Sequence, residues 1–444
     1  MRIQLSDHFS YSRLIRFVLP SITMMIFTSI YGIVDGLCVS NLVGKTPFAA
    51  INLIWPYLMG LTVTGFMIGA GGTALVSRSL GEGKKERANQ EFSLLVYVTI
   101  GIGLALTALA LVTLRPVAIL MGAEGELLEI AVRYGRIIAL ALTLFTLQIM
   151  FQSFFITAEK PKLGLLVTVI AGITNMVLDV LFIAVFRWGI QGAALATALS
   201  QAVGGMIPLI YFACPNNSLL RLTKTRFNGA VLWQTCTNGS SELMTNLSMA
   251  VVNTLYNLQL LKLAGENGVA AYGIIMYANF IFIAIFVGYA IGSAPIIGYH
   301  FGANNTEELK NLFRKSMVLM GTCGIVMLAL GIWLASPLCR IFVGYDAELL
   351  ALTTRGFRLY SLSFLLIGFN IFGSSFFTAL SNGPVSAVIS FLRTLVFQVP
   401  AIFLLPLILP NADGIWMAIV TAEALALLVT LFFFVKKKDT YHYA

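Results

Sequence analysis

Residues 122–136 read GAEGELLEIAVRYGR, and residues 344–358 read GYDAELLALTTRGFR. Gly122, Glu126, Leu127, Leu128, Arg133 and Arg136 of the first stretch return as Gly344, Glu348, Leu349, Leu350, Arg355 and Arg358 of the second, 222 positions later. Outward from this pair, the same offset to within one residue matches Gly81 with Gly302, Pro116 with Pro337, Pro161 with Pro384 and Gly192 with Gly414. Chance likeness between apolar stretches does not hold one offset across loops and charges, so the chain reads as a duplication. Apolar runs flank these landmarks near 14–38, 48–76, 92–114, 134–157, 163–186 and 190–213, and again near 231–261, 268–299, 314–335, 356–380, 385–409 and 414–435. Each is long enough to cross a bilayer, which takes roughly 20 apolar residues. Six spans per half is an even number, so both halves enter the membrane in the same orientation. That is a parallel repeat, a plan of secondary transporters whose substrate path runs between the halves. The expected fold is an all-α integral membrane protein of twelve transmembrane helices in two pseudo-symmetric six-helix lobes. The N-lobe spans 1–213 and the C-lobe 231–444, with a polar cytoplasmic linker, 214–230, between them.

Composition agrees. The 444 residues are 58% hydrophobic and only 11% charged, with a mean hydropathy of +0.89, whereas a soluble domain carries about 25% charged residues. A disordered chain, a disulfide scaffold and a globular cytosolic enzyme are excluded. The net charge of +9 does not indicate nucleic acid, because the basic residues sit in short loops between apolar runs. Eighteen of the 28 Lys and Arg lie in the termini and even-numbered loops, nine in the odd-numbered loops, and Arg393 within a span. This bias places both termini in the cytoplasm, with the chain in the cell's inner (cytoplasmic) membrane. The five cysteines (Cys38, Cys214, Cys236, Cys323, Cys339) are scattered and read as small apolar fillers. The first apolar run shows no clear small-residue cleavage site and reads as a retained helix. His300 reads as interfacial. Gly83-Lys84-Lys85 lacks the remainder of a P-loop and reads as a solvated basic loop.

Function is expected where polar groups enter the spans. A carboxylate at a helix centre costs about 2.5–3.5 kcal/mol on insertion scales, so it normally has a partner or a task. Asp35, Asp179, Glu242 and Glu423 are such acids. Thr28, Tyr31 and Asp35 share one face of span 1, Asn175 and Asp179 one face of span 5, Thr197 and Gln201 one face of span 6, and Gln148 and Gln152 one face of span 4. These could converge on one hydrated acidic cavity in the first half. Two carboxylates, an amide oxygen and a hydroxyl are hard ligands of the kind small cations prefer, and two adjacent carboxylates raise each other's proton affinity. The set of Asp35, Asn175, Asp179 and Thr197 therefore suits either H⁺ or Na⁺ as coupling ion, while Asn175 and Thr197 also suit simple helix-to-helix hydrogen bonding. In the second half, Glu242, Asn246, Asn253 and Asn257 form a polar stripe on span 7, and Tyr272, Met276 and Asn279 share a face of span 8. Arg393 must be paired, with Glu423 or Glu242 as candidates. Tyr31, Gln148, Gln152, Gln201, Glu242, Asn246, Met276 and Asn279 are the candidate substrate-cavity residues. No nucleophile–base pair, catalytic metal cluster or cofactor motif is legible, and asymmetric buried acids fit ion-coupled exchange better than a channel.

Several motifs resemble the multidrug and toxic compound extrusion (MATE) transporters. They are Pro20 with Asp35, Ser79-Leu80-Gly81-Glu82-Gly83-Lys84, Asn175-x-x-Leu178-Asp179-x-x-Phe182-Ile183, and Gly189-Ile190-Gln191-Gly192-Ala193-Ala194-x-Ala196-Thr197 with Gln201. Arg393, Val399-Pro400, Leu404-Leu405-Pro406 and Asp413-Gly414-Ile415-Trp416 resemble the bacterial DinF/MepA-like branch. The resemblance implies a V-shaped pair of lobes that exports amphipathic, often cationic drugs or toxic compounds in exchange for inward H⁺ or Na⁺, as a monomer and without a cofactor. It implies that Asp35, Asn175, Asp179 and Thr197 form the N-lobe cation site. The alternative in the same superfamily is a flippase for lipid-linked saccharide precursors, whose cavities are more basic than the acidic one expected here.

Overall fold

In the computed structural model, residues 3–409 and 412–444 are described, and they form helices and turns. The side chain of Cys38 lies outside the described residues; Cys214, Cys236, Cys323 and Cys339 are free thiols. The first half runs α1 (Tyr11–Val43), α2 (Lys45–Gly81), α3 (Lys85–Leu120), α4 (Gly125–Thr157), α5 (Pro161–Asp179) and α6 (Gly189–Ala213). The second runs α7 (Gly229–Gly302), α8 (Thr306–Val343), α9 (Ala347–Ser361), α10 (Phe364–Ala379), α11 (Gly383–Phe391), α12 (Gln398–Ile408) and α13 (Asp413–Tyr441). At 74 residues α7 would extend about 110 Å, far more than one crossing. It turns at Gly265, whose φ of 61° and ψ of −151° are outside the helical range and suit a residue without Cβ. Beyond that break the ring of Tyr272 stacks on Tyr256 at 5.0 Å and its hydroxyl donates to Asn253 Oδ1 at 2.6 Å, so the two arms run side by side. α9 and α10 are one span bent by 48°. α5 continues as a π-helical segment, Val180–Val185, and α11 and α12 are joined through another, Leu392–Val396. The chain thus crosses the membrane twelve times, six in each half.

The duplication is visible in the turns and in the packing. Gly83 and Asn304 have positive φ at matching turns, as do Glu159 and Ser381. A Cβ added at Gly81 would strike the carbonyl oxygen of Tyr299, and one at Gly302 the carbonyl oxygen of Arg78. Each contact is the other's image under the repeat. Gly71 is similarly pressed on Thr235, Gly239 on Met67, Gly288 on Ile22 and Gly292 on Val18. Glycines let backbones approach closely where hydrocarbon surroundings provide no hydrophobic drive for helix association. The halves therefore meet through α1, α2 and α7 at the membrane side that carries the termini.

Two polar segments on that side are tied down. Residues 214–228 run along α3, where the Arg221 and Thr223 amides donate to Asn89 Oδ1 and Ser93 Oγ, both at 2.8 Å, and Leu220 is fully buried. Residues 3–10 cross between the halves. The Leu5 amide donates to Glu159 Oε1 of the first half at 2.8 Å, and the Phe9 amide to Glu308 Oε1 of the second at 2.9 Å. His8 pairs with Glu308 at 2.6 Å, Asn311 donates to the Phe9 carbonyl, and Leu5 and Phe9 are fully buried. His300 lies at the end of its span, where the sequence places it, and is 2% exposed with the Phe9 ring edge-on at 6.4 Å, because this strap covers it.

Candidate functional site

In the first half, α1, α4, α5 and α6 bring their polar residues to one place. Gly172 on α5 allows α1 to come close, since a Cβ there would lie 2.6 Å from the Phe27 ring. One and two turns further along α5 stand Asn175, 1% exposed, and Asp179, fully buried. Asp179 is the last α-helical residue before the π segment, a rare irregularity that often marks functional sites. The carboxyl of Asp35, partly buried on α1, lies within hydrogen-bonding reach of Asp179 and Asn175. The Asn175 amide points its nitrogen at Thr197 Oγ1 of α6, 3.5 Å away. The hydroxyl of Tyr134, 3% exposed on α4, reaches Thr197 and stands beside both carboxyls.

These groups are under-supplied with hydrogens. Asp35 Oδ1, both carboxylate oxygens of Asp179 and Asn175 Oδ1 are buried without a donor among the described residues. Two facing carboxylates cannot both stay ionised in a low-dielectric site unless a proton or cation sits between them. Amide, hydroxyl and carboxylate oxygens together match the ligands of small hard cations. Such an arrangement of oxygens can hold one positive charge. Gln148 on α4 and Gln201 on α6 also have buried Oε1 atoms without donors, and Gln148 is pressed against Gly204. Gln152, one turn along α4, and Tyr31, one turn along α1 from Asp35, are partly buried.

The second half has a separate buried polar cluster. Glu423 on α13 is 2% exposed and pairs with Arg393 Nε at 3.3 Å. Its Oε2 accepts from Asn370 Nδ2 of α10 at 2.7 Å, and Thr430 donates to Asn370 Oδ1 at 2.9 Å. Arg393 lies in the second π segment, so each π segment begins beside, or contains, an ionisable residue. Glu242, partly buried on α7, feels the Arg393 charge without pairing to it. Of the two candidate partners, Glu423 makes the ion pair. The four residues of the α7 polar stripe are all partly buried and find different surroundings along the helix. Asn246 donates to the Glu242 carbonyl of its own helix, Asn253 accepts from Tyr272, and Asn257 lines a groove with Glu266 near the Gly265 turn. Asn279 is buried with an unsatisfied Oδ1, and Met276 is partly buried one turn earlier.

Sequence reasoning missed Tyr134, Asn370 and the contact of Gln398 Nε2 with the Tyr256 hydroxyl at 3.2 Å. Tyr134 lies inside the repeated stretch quoted first, yet position 356 at the repeat offset is a glycine. That asymmetry between otherwise matching segments was the available signal. No group of three His, Cys, Asp or Glu suited to a metal occurs among the described residues, so any cation at the first-half site would rely on amide and hydroxyl oxygens beside the two carboxylates.

The MatE family model matches the chain twice, over residues 20–181 and 243–404. The multidrug export protein MepA of Staphylococcus haemolyticus (strain JCSC1435) is 24% identical over 426 residues, 95% of this chain and 92% of the relative. MepA of Staphylococcus aureus (strain MRSA252) is 22% identical over 422 residues, with 95% and 92% covered. Among solved structures, a MATE protein in complex with MaL6 superposes with a TM-score of 0.93 at 22% identity, covering 98% of both chains. An outward-facing multidrug resistance MATE transporter of the MOP superfamily gives 0.92 at 22% identity and 98% of both chains.

Proposed function

Because the chain belongs to the MatE family, the multidrug and toxic compound extrusion transporters, we propose that it is a cation-coupled antiporter exporting amphipathic, often cationic compounds by alternating access. The observation that carries this reading is the set of buried oxygens without donors where Asp35 meets Asp179, with Asn175, Thr197 and Tyr134 around it. The relatives' identity as multidrug exporters supports the substrate class. In this reading residues 1–213 and 231–444 are the lobes, 214–230 is the linker, and the termini are cytoplasmic. The glycine-mediated contacts between the lobes then close the cytoplasmic side.

The coupling ion, H⁺ or Na⁺, is a co-substrate that neutralises the Asp35–Asp179 pair. With the pair unoccupied, its negative charge holds α1 and α5 apart or attracts a cationic substrate. Once occupied, the two helices repack and the substrate loses its counter-charge. Coupling needs this difference between states, since a ligand indifferent to both shifts nothing. Glu242, Asn246, Met276 and Asn279 on α7, with Tyr31, Gln148, Gln152 and Gln201, line the substrate path. The Arg393–Glu423 pair holds α13 to the neighbouring π segment. The protein acts as a monomer, since each chain holds a complete ion site.

The test is dye efflux from proteoliposomes with Na⁺ and H⁺ gradients imposed separately, using wild type, Asp35→Asn and Asp179→Asn. Both variants should insert and fold, because an amide is cheaper in lipid than a carboxylate. They should bind dye yet lose gradient-driven efflux at least 10-fold. Wild-type coupling stoichiometry in both variants would overturn the assignment.

A further inference from the structure

At the foot of α1, on the termini side, a cavity of about 1240 Å³ opens between the start of α1, the α4–α5 turn and the segment after α6. Four cations border it: Arg13 and Arg16, one helical turn apart on α1, and Lys160 and Lys162 on either side of Pro161. None of the four makes an ion pair with another described residue. Arg13 donates only to the His8 carbonyl, at 3.3 Å. One carboxylate faces the same space, that of Glu159, which accepts from the Leu5 amide. The remaining wall is largely apolar, with Phe17, Leu19, Pro20, Leu163 and Tyr211. Beside the cavity the seam between the packed helices α1 and α5 exposes apolar side chains: Leu19, which lines the cavity, is 51% exposed on α1, and Leu166, one turn beyond the lining Leu163, is 53% exposed on α5.

A basic cup that continues into an apolar furrow matches one ligand chemistry, an anionic head on an acyl tail. We infer that this groove binds an anionic glycerophospholipid, its phosphate among Arg13, Arg16, Lys160 and Lys162 and an acyl chain along the α1–α5 furrow. Basic pockets between transmembrane helices on the cytoplasmic side take anionic lipid headgroups in this way. A soluble phosphate would use the cations but leave the furrow uncovered, and a zwitterionic lipid would bring its own cation into a site that already holds four. The site is distinct from the ion site, because Arg16 and Asp35 are nineteen residues apart on α1, roughly 28 Å along the axis. It is also independent of what the protein transports.

Native mass spectrometry of the full chain, released from nanodiscs of equal phosphatidylglycerol and phosphatidylcholine, tests the inference. Phosphatidylglycerol should be retained in preference to phosphatidylcholine. The double variant Arg16→Gln/Lys162→Gln should weaken that retention about 30-fold, as expected for two surface cations. Lys84→Gln/Lys85→Gln, whose charges lie in a different loop, should retain lipid as wild type does, and unchanged gel filtration should show both variants folded. Equal retention of the two lipids, undiminished retention by Arg16→Gln/Lys162→Gln, or displacement of phosphatidylglycerol by millimolar inorganic phosphate would each overturn the lipid assignment.

Discussion

The Tyr134 hydroxyl on α4 reaches Thr197 close to both acids of the proposed ion site. Tyr134→Phe keeps the ring, 3% exposed, and removes that oxygen. The expected result is an ion concentration for half-maximal efflux raised several-fold with the maximal rate largely kept, measured by titrating Na⁺ or H⁺ against dye efflux. An unchanged ion dependence would remove Tyr134 from the site. The Arg393–Glu423 pair makes a different kind of prediction. Removing one partner of a buried pair leaves an unpaired charge and costs about 3–5 kcal/mol, while replacing both with apolar residues is often neutral. Arg393→Met should therefore lower the melting temperature clearly in detergent, and Arg393→Met/Glu423→Met should recover most of the loss. A double variant as unstable as the single one would show that the pair does more than hold α13 in place. At this scale the sequence was informative wherever charge stood out against hydrocarbon, as at Asp35, Asp179, Arg393 and Glu423. It was silent on Tyr134 and Asn370, since a tyrosine or an asparagine in a span is not unusual enough to attract notice without its neighbours.

At the scale of elements, twelve spans were legible because each apolar run is bounded by polar or charged turns. The bend between α9 and α10 and the two π segments were not. A π segment arises from one extra residue per turn, which leaves the apolar count and the period almost unchanged. The strap of residues 3–10 was illegible for another reason: its sequence is short and polar, and its partners, Glu159 and Glu308, are distant in the chain. Its role is open to measurement. Glu308 accepts the Phe9 amide, pairs with His8 and accepts from Asn311 at 2.7 Å. Glu308→Ala should release the second half of the strap and expose His300, so hydrogen exchange at residues 5–9 should rise at least 10-fold over wild type. Protection that stays at the wild-type level would mean that Leu5 and Phe9 are held by burial alone.

For the molecule as a whole, the repeat offset proved to be a statement about contacts as well as ancestry. Gly81 against Tyr299 and Gly302 against Arg78 are one contact seen from either half. Either Gly81→Val or Gly302→Val inserts methyl groups where a backbone carbonyl already sits, and overpacking of this kind costs about 1–3 kcal/mol. Each substitution should wedge the halves apart on the termini side, slow efflux, and raise labelling of an Ala303→Cys probe by a membrane-impermeant thiol reagent. Labelling of that probe from outside intact cells would reverse the proposed orientation. The sequence could place these glycines in register but not in contact. Register follows from spacing, whereas contact depends on the angle at which two six-helix bundles meet, to which all of their helices contribute.

The strap also has a history in time. Residues 5–9 leave the ribosome about 300 positions before Glu308, one of their two anchors. Throughout the intervening synthesis Glu159 can hold the strap, but the Glu308 anchor and the His300 beneath Phe9 do not yet exist. The strap therefore cannot close until α7 lies alongside the first half and the start of α8 has been made. Its closure reports that α7 has docked on the first half, and a chain stalled before α8 would carry an open, protease-sensitive segment in place of the bridge.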